Sequence, residues 1–301
     1  MKSLLLVYNP VSGNISFSDY LDNFITKFQQ DYQIFIHRTL SRPAGELARK
    51  FKFIARISDE FAKVVVAGGD GSLHRVVNIM MQGGYDIPLA VIPAGTVNDF
   101  ASYLGMPADF EKCFDIILQN EYRPIDVGLV NDRFFINVCV GGLFSSTPHS
   151  TDSVFKSTLG KMAYYLQGLR EITSFKTINI KITTDEEVFT EEIYLFLILN
   201  SRRGGGFKNI SGRSSLDDGL FELIIVKAGK VYEIFKLVSE FLQENHLDNE
   251  NIIYKQSSSF YIEALDLNEE MNITNLDGER GPSYPLKIQV MPRALKMIGN
   301  Y

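Results

Sequence analysis

Lys63-Val64-Val65-Val66-Ala67-Gly68-Gly69-Asp70-Gly71-Ser72 joins an apolar, β-branched run to a glycine turn that carries one carboxylate and one hydroxyl. Leu73, Val76, Val77 and Met80 then recur at helical spacing, so the order is strand, glycine turn, helix. Glycines let the backbone come close to a ligand, and the unpaired N–H groups at the helix start face an anion with the positive end of the dipole. A carboxylate beside polyphosphate is repelled unless a divalent cation lies between them, so Asp70 points to a Mg²⁺-nucleotide rather than a bare phosphate. A plain βα turn with an Asp near its helix accounts for the same residues, and this stretch alone leaves both readings open.

Two further corners have the same form. Leu4 to Tyr8 is a short buried-type strand that runs into Asn9-Pro10-Val11-Ser12-Gly13, ahead of a helical stretch at residues 17–28. Residues 87–92 lead into Pro93-Ala94-Gly95-Thr96-Val97-Asn98-Asp99-Phe100, where Thr96 or Asn98 is placed to cap a helix. The carboxyl ends of parallel strands in an open α/β sheet lie on one edge, so the three turns are expected to meet at one crevice.

The first part of the chain alternates strand and helix, with helices expected at residues 43–57, 72–82 and 110–119. That pattern predicts an open, mostly parallel sheet in an α/β domain spanning residues 1–124. From residue 125 strands follow one another, at 125–130, 134–140, 177–184, 187–200, 220–227, 257–264, 270–275 and 286–290. These predict an antiparallel, β-sandwich-like C-terminal domain at 125–291, interrupted by helices near 164–173 and 231–244.

The chain has 301 residues and a net charge of −6, an acidic balance that speaks against a nucleic-acid partner. Cys113 and Cys139, far apart and without a CxxC, fit a reducing compartment better than a disulfide framework, and the expected location is the cytoplasm. His37, His74, His149 and His246 lack metal-ligand spacing and read as ordinary surface or helix residues. No apolar run approaches the roughly 20 residues of a membrane span, so any membrane contact is expected to be peripheral.

The motifs NPVSG (9–13), AGGDGSLHRVVN (67–78), PAGTVNDFA (93–101), SLDDGLFELIIV (215–226) and NLDGE (275–279), in this order, resemble the diacylglycerol kinase catalytic domain family, most closely its small soluble bacterial lipid kinases. GGDG alone is shared with NAD kinases and phosphofructokinases; PAGTVNDF, LDDG and NLDGE are more specific. The resemblance implies transfer of the γ-phosphoryl group of ATP to a lipid hydroxyl, with Mg²⁺, and a tail at 292–301 that packs back on the first domain. It implies an ATP cradle of Asn9, Ser12, Gly13, Gly68, Gly69, Gly71, Ser72 and Thr96, with Thr39 as a further nucleotide contact. Asp70 and Asp99 would organise metal or water at the phosphates. It also implies a second, structural Mg²⁺ held by Asp218 and the main-chain carbonyls of Ser215 and Leu220.

Asp277-Gly278 has the form of a hairpin turn, and from the residues alone Glu279 is a solvated turn position. The resemblance instead makes Glu279 the general base for the acceptor hydroxyl. GGDGS replaces the family's GGDGT and keeps the hydroxyl, whereas FKNISGRSS (207–215) lacks the proline common in relatives and leaves the carbonyl ligands of the structural metal less defined. No Walker GxxxxGK[ST], GxGxxG, HRD or DFG occurs. Arg202, Arg203, Lys208 and Arg213 form a local basic segment suited either to an anionic membrane surface or to solvent. Lys156, Lys161 and Tyr164-Tyr165-Leu166 are further candidates for the acceptor side. The expected partners are thus ATP, a membrane lipid met transiently at the inner face of the membrane, and a second copy of the chain as an open possibility. A soluble-acceptor kinase and a non-catalytic regulator are the competing readings.

Overall fold

A computed structural model describes residues 2–10, 16–39, 45–58, 60–142, 176–202, 209–212, 214–229, 237, 240, 246–266 and 272–301. The chain divides into two compact units, Met1–Ile125 with Arg293–Tyr301, and Asp126–Pro292.

In the first unit β1 (Lys2–Tyr8), β2 (Tyr32–Arg38), β3 (Glu60–Gly68) and β4 (Leu89–Pro93) alternate with α1 (Leu21–Phe28), α2 (Glu46–Ile57), α3 (Asp70–Gly83), α4 (Asp99–Tyr103) and α5 (Phe110–Gln119). The strands pair in parallel in the order β4-β3-β1-β2. Leu4 to Val7, Val64 to Ala67 and Leu89 to Ile92 are all buried, the near-continuous apolar pattern of strands covered on both faces. Phe17, Phe24, Phe28 and Phe114 form a ring cluster between α1 and α5. Asp109 caps α5 by accepting from the Glu111 and Lys112 amides at 3.0 and 3.4 Å.

The second unit is antiparallel. It holds β5 (Tyr122–Val130, whose first residues belong to the first unit), β6 (Arg133–Phe135), β7 (Val138–Gly142), β8 (Ile178–Thr184), β9 (Val188–Leu199), β10 (Phe221–Lys227), β11 (Ile252–Ser257), β12 (Ser259–Ala264), β13 (Asn275–Leu276), β14 (Glu279–Arg280) and β15 (Leu286–Ile298, whose residues from Arg293 on belong to the first unit). Ile178, Ile180 and Ile182 alternate into one core with Leu223 and Ile225, whereas Ile224 and Val226 of the same β10 enter a second core with Tyr194 and Ile252. Period-two alternation thus gives β10 an apolar layer on each face, as a sandwich requires. Residues 286–289 of β15 pair with β12, while Met297 and Ile298 pair in parallel with Leu89 and Ala90 of β4.

Several elements differ from expectation. The stretch 134–140 is two strands, split where Ile136 and Asn137 turn their amides onto Asp277. β11 was not expected, because its polar Lys255 and Gln256 mask the alternation. Of the strand expected at 270–275, the described residues 272–274 are irregular and only Asn275 is paired. β15 runs eight residues beyond 290, through Pro292 and through Arg293 at φ 52°. His74 is a helix residue of α3, whereas His37 on β2 is buried rather than on the surface, as is His246, with Nε2 at 2.6 Å from the Ile210 carbonyl; His149 lies outside the described residues. The helix expected at 164–173, and all of 231–244 except Leu237 and Glu240, lie outside the described residues.

Candidate functional site

In the first unit register alone brings the sequence-predicted residues to one edge. Tyr8 pairs with Arg38 and Ala67, and Gly68 pairs with Pro93, so the segments that follow β1, β2, β3 and β4 leave side by side. The Asn9 amide donates to the Ala67 carbonyl at 3.1 Å and the Thr39 amide to the Tyr8 carbonyl at 3.0 Å. Ser12 and Gly13 lie outside the described residues.

The glycines have a steric reason. A Cβ on Gly95 would sit 2.3 Å from the Gly69 Cα, and one on Gly68 would sit 2.8 Å from Ser72 Cβ and Oγ, so the turns after β3 and β4 touch backbone to backbone. α3 begins at Asp70, two residues before its expected start, and its N-cap position is Gly69, which has no side chain to cap with. Asp70 reaches across to α4: its carboxylate oxygens accept from the Asp99 and Phe100 amides, both at 3.3 Å. Asn98 occupies the N-cap position of α4 at φ 54° without capping it. Its side chain instead accepts from the Gly95 amide at 2.8 Å and donates to the Gly95 carbonyl at 2.8 Å and the Pro93 carbonyl at 3.3 Å, fixing the turn that holds Thr96. Of the two expected caps, neither is used; the carboxylate of Asp70 takes that role.

In the second unit Asp218 is exposed in the turn before β10, with Oδ1 accepting from the Leu220 amide at 3.0 Å, while Ser215 Oγ donates to Asp217 at 2.8 Å. Partial desolvation, then the neighbouring Asp126 and Asp217 charges, push the Asp218 carboxyl above its ordinary range, against the lowering effect of the Leu220 amide. Such crowding of negative charge fits a cation, and carboxylate and carbonyl oxygens are the hard donors that Mg²⁺ takes. Among the described residues no three His, Cys, Asp or Glu side chains form a metal cage, so main-chain oxygens would complete the set. Glu222, fully buried and hydrogen-bonded to Ser214 at 2.6 Å and Gln256 at 3.2 Å, is pushed up to about 7 by burial.

Two residues that sequence reasoning passed over, Asp126 and Asn200, lie between this loop and the NLDGE hairpin, and Asp277 of the expected hairpin turn has a further task. Asp126 is fully buried and accepts from the Gly219 amide at 2.7 Å. Asn200 is fully buried and donates to the Asp126 and Ile136 carbonyls at 2.8 and 2.9 Å. Asp277 accepts from the Ile136, Asn137 and Val138 amides, each at 2.9 Å, so the turn residue anchors the hairpin. A charge inside the apolar run Ile125-Asp126-Val127 was the available signal for the first of them. Glu279 is half-buried and pairs with Leu276 across the turn, with Asp277 at φ 53° and Gly278 at φ 95°.

Of the basic segment, Arg202 is exposed and donates from Nε to the Ser214 carbonyl at 3.2 Å. Arg203, Lys208, Arg213, Lys156, Lys161 and Tyr164 to Leu166 lie outside the described residues. Among the described residues no helix is long and apolar enough to cross a membrane.

The model of the diacylglycerol kinase catalytic domain matches residues 3–130, and that of the YegS C-terminal NAD kinase beta sandwich-like domain matches residues 142–299. A diacylglycerol kinase of Bacillus subtilis is 36% identical over 287 residues, 95% of this chain and 92% of that protein. One of Staphylococcus carnosus is 31% identical, covering 94% and 90%. A crystal structure of a diacylglycerol kinase from Bacillus anthracis superposes with a TM-score of 0.77 at 26% identity, over 99% of this chain and 97% of that one. With both halves matched and relatives above 30% identity end to end, the chain belongs to the diacylglycerol kinase family, phosphotransferases that use an alcohol group as acceptor.

Proposed function

We propose that the protein transfers the γ-phosphoryl group of ATP to the hydroxyl of a membrane lipid, diacylglycerol or a close relative. The observation that carries the donor half is the edge of the first unit where Asn9, Thr39, Gly68 to Ser72 and Gly95 to Asp99 emerge together, with two glycine backbones in contact. That edge supports a phosphate cradle without a P-loop lysine, made of Asn9, Gly68, Gly69, Gly71, Ser72 and Thr96 with Thr39 beside it, to which the family resemblance alone adds Ser12 and Gly13. Mg²⁺ bound with ATP would neutralise charge on the phosphates, and Asp70 and Asp99 are the carboxylates that would orient it or its waters.

In the second unit Asp218 with the Ser215 and Leu220 carbonyls would hold a structural Mg²⁺. Glu279 would accept the proton of the acceptor hydroxyl. A carboxylate is far too weak a base to form a free alkoxide, so that proton moves in or near the transition state, for about a 10²- to 10⁴-fold gain. Positioning and charge neutralisation supply the remainder. The acceptor is met at the inner face of the membrane, where cytoplasmic protein and anionic headgroups come together.

The test is incubation of the pure protein with γ-labelled ATP, Mg²⁺ and mixed micelles of diacylglycerol, phosphatidylglycerol and other hydroxylated lipids, beside NAD and sugars in solution. Label in a lipid supports the proposal; label only in a soluble acceptor, or none at all, rejects it.

A further inference from the structure

We propose that Asn200 and Asp277 are positioning residues that tie loop 215–220 to the hairpin carrying Glu279, so that a cation bound at Asp218 also fixes the general base. The inference rests on the roles given above to Asp218 and Glu279. Every link lies within the second unit. From the loop, the Gly219 amide donates to the Asp126 carboxylate at 2.7 Å, and the Asp126 amide donates to the Leu216 carbonyl at 2.6 Å. From Asp126, Asn200 Nδ2 donates at once to the Asp126 carbonyl and the Ile136 carbonyl, while its own amide donates to the Asn137 carbonyl at 2.9 Å. Ser201 Oγ donates to Asn137 Oδ1 at 2.5 Å. From residues 136–138, three amides converge on the Asp277 carboxylate and the Asp277 amide returns to the Val138 carbonyl at 2.9 Å. Glu279 follows two residues later in the same tight turn.

Two features mark this as a connection and not ordinary filler. Asp126, Asn200 and Ser201 are fully buried, so their bonds act in a medium that strengthens them and makes their loss costly. Among the described residues Asn200 Oδ1 is buried with no hydrogen-bond partner, while the Nδ2 group of the same side chain bridges β5 and the connection at residues 136–137. A carbonyl pair that merely needed covering does not require that orphan. What Asn200 alone supplies is one donor group shared between the strand that holds the metal loop and the connection that holds Asp277. The loop and the hairpin therefore have a continuous chain of short bonds rather than a soft apolar contact between them.

Hydrogen–deuterium exchange of the full chain, with and without Mg²⁺ alone, reads this directly. In the wild type Mg²⁺ is expected to slow exchange in both 214–220 and 275–280. In Asn200→Ala protection of 214–220 is expected to persist and that of 275–280 to be lost. If Asn200→Ala does not fold, Asp277→Asn, which keeps the side chain's size but turns one acceptor oxygen into a donor, gives the same readout. Mg²⁺ protection confined to 214–220 in the wild type, or protection of 275–280 that survives both variants, overturns the inference. If neither segment responds in the wild type, the cation reading of Asp218 fails and this inference with it. Full turnover of Glu279→Gln rejects the base alone and leaves the exchange pattern in place.

Discussion

Asp70 caps the helix that Asp99 begins: a single carboxylate from the turn after β3 receives the first two amides of α4, each at 3.3 Å. The residue read as a nucleotide ligand thus has a structural task as well, and the two tasks separate by mutation. Asp70→Ala loses the cap and should destabilise the protein by about 1–2 kcal/mol in addition to losing activity. Asp70→Asn keeps one of the two acceptor oxygens and turns the other into a donor facing an amide, so its melting temperature should fall, but by less than that of Asp70→Ala, while kinase turnover falls about 10²-fold or more if the charge serves Mg²⁺-ATP. Turnover that tracks the melting temperature in both variants would assign Asp70 to capping only.

Glu279→Gln keeps size and reach and removes the basic carboxylate. Turnover on an accepted lipid should fall about 10²- to 10⁴-fold with ATP affinity unchanged. Steady-state kcat beside direct ATP binding measures both, and a kcat within about threefold of wild type, roughly 0.65 kcal/mol of barrier, rules out the base.

A cation at Asp218 would bind the folded chain only, so the melting temperature of the wild type should rise with Mg²⁺ concentration. Asp218→Ala should abolish that rise and lower activity. Equal Mg²⁺-dependent shifts in both proteins would place the stabilising cation elsewhere.

Lys63 is fully buried on β3 with Nζ donating to the Ile117 carbonyl at 2.5 Å, and burial, with a smaller contribution from Lys2 and against Asp31, pulls its ammonium down to about 8. Between that value and the ordinary one the unfolded chain binds a proton that the folded chain does not, so this group makes stability rise with pH above about 8; below it the full cost of the buried charge is present. In Lys63→Met that slope should be absent. Urea midpoints of the two proteins between pH 7.5 and about 10 give the comparison, and parallel curves would contradict it.

The α/β half was legible because residues 4–8, 64–67 and 89–92 are uninterrupted apolar runs that lead into glycine or proline turns, which leave little choice of period or boundary. The antiparallel half was legible in class but less so in detail, because the polar Lys255 and Gln256 interrupt the pattern of β11 and β13 is only two residues long. The site divides in the same way. Gly68 to Ser72 and Gly95 to Asp99 announce themselves by composition, whereas the partnership of Asp70 with Asp99, 29 residues apart in the chain, depends on β3 and β4 lying side by side. Asn200 looks like any polar residue at a strand end, and its partners are 64 and 74 positions away.

Met297 and Ile298 complete the parallel sheet by lying beside Leu89 and Ala90 of β4. A ribosome delivers the first unit's other strands long before these residues emerge, so during synthesis the sheet of the first unit waits with β4 as an open edge. Until residues 293–298 arrive, that row of unpaired amides and carbonyls is a template for another chain. Loss of those few residues would therefore act on the half of the molecule farthest from them in sequence, and would be felt first as aggregation of newly made protein.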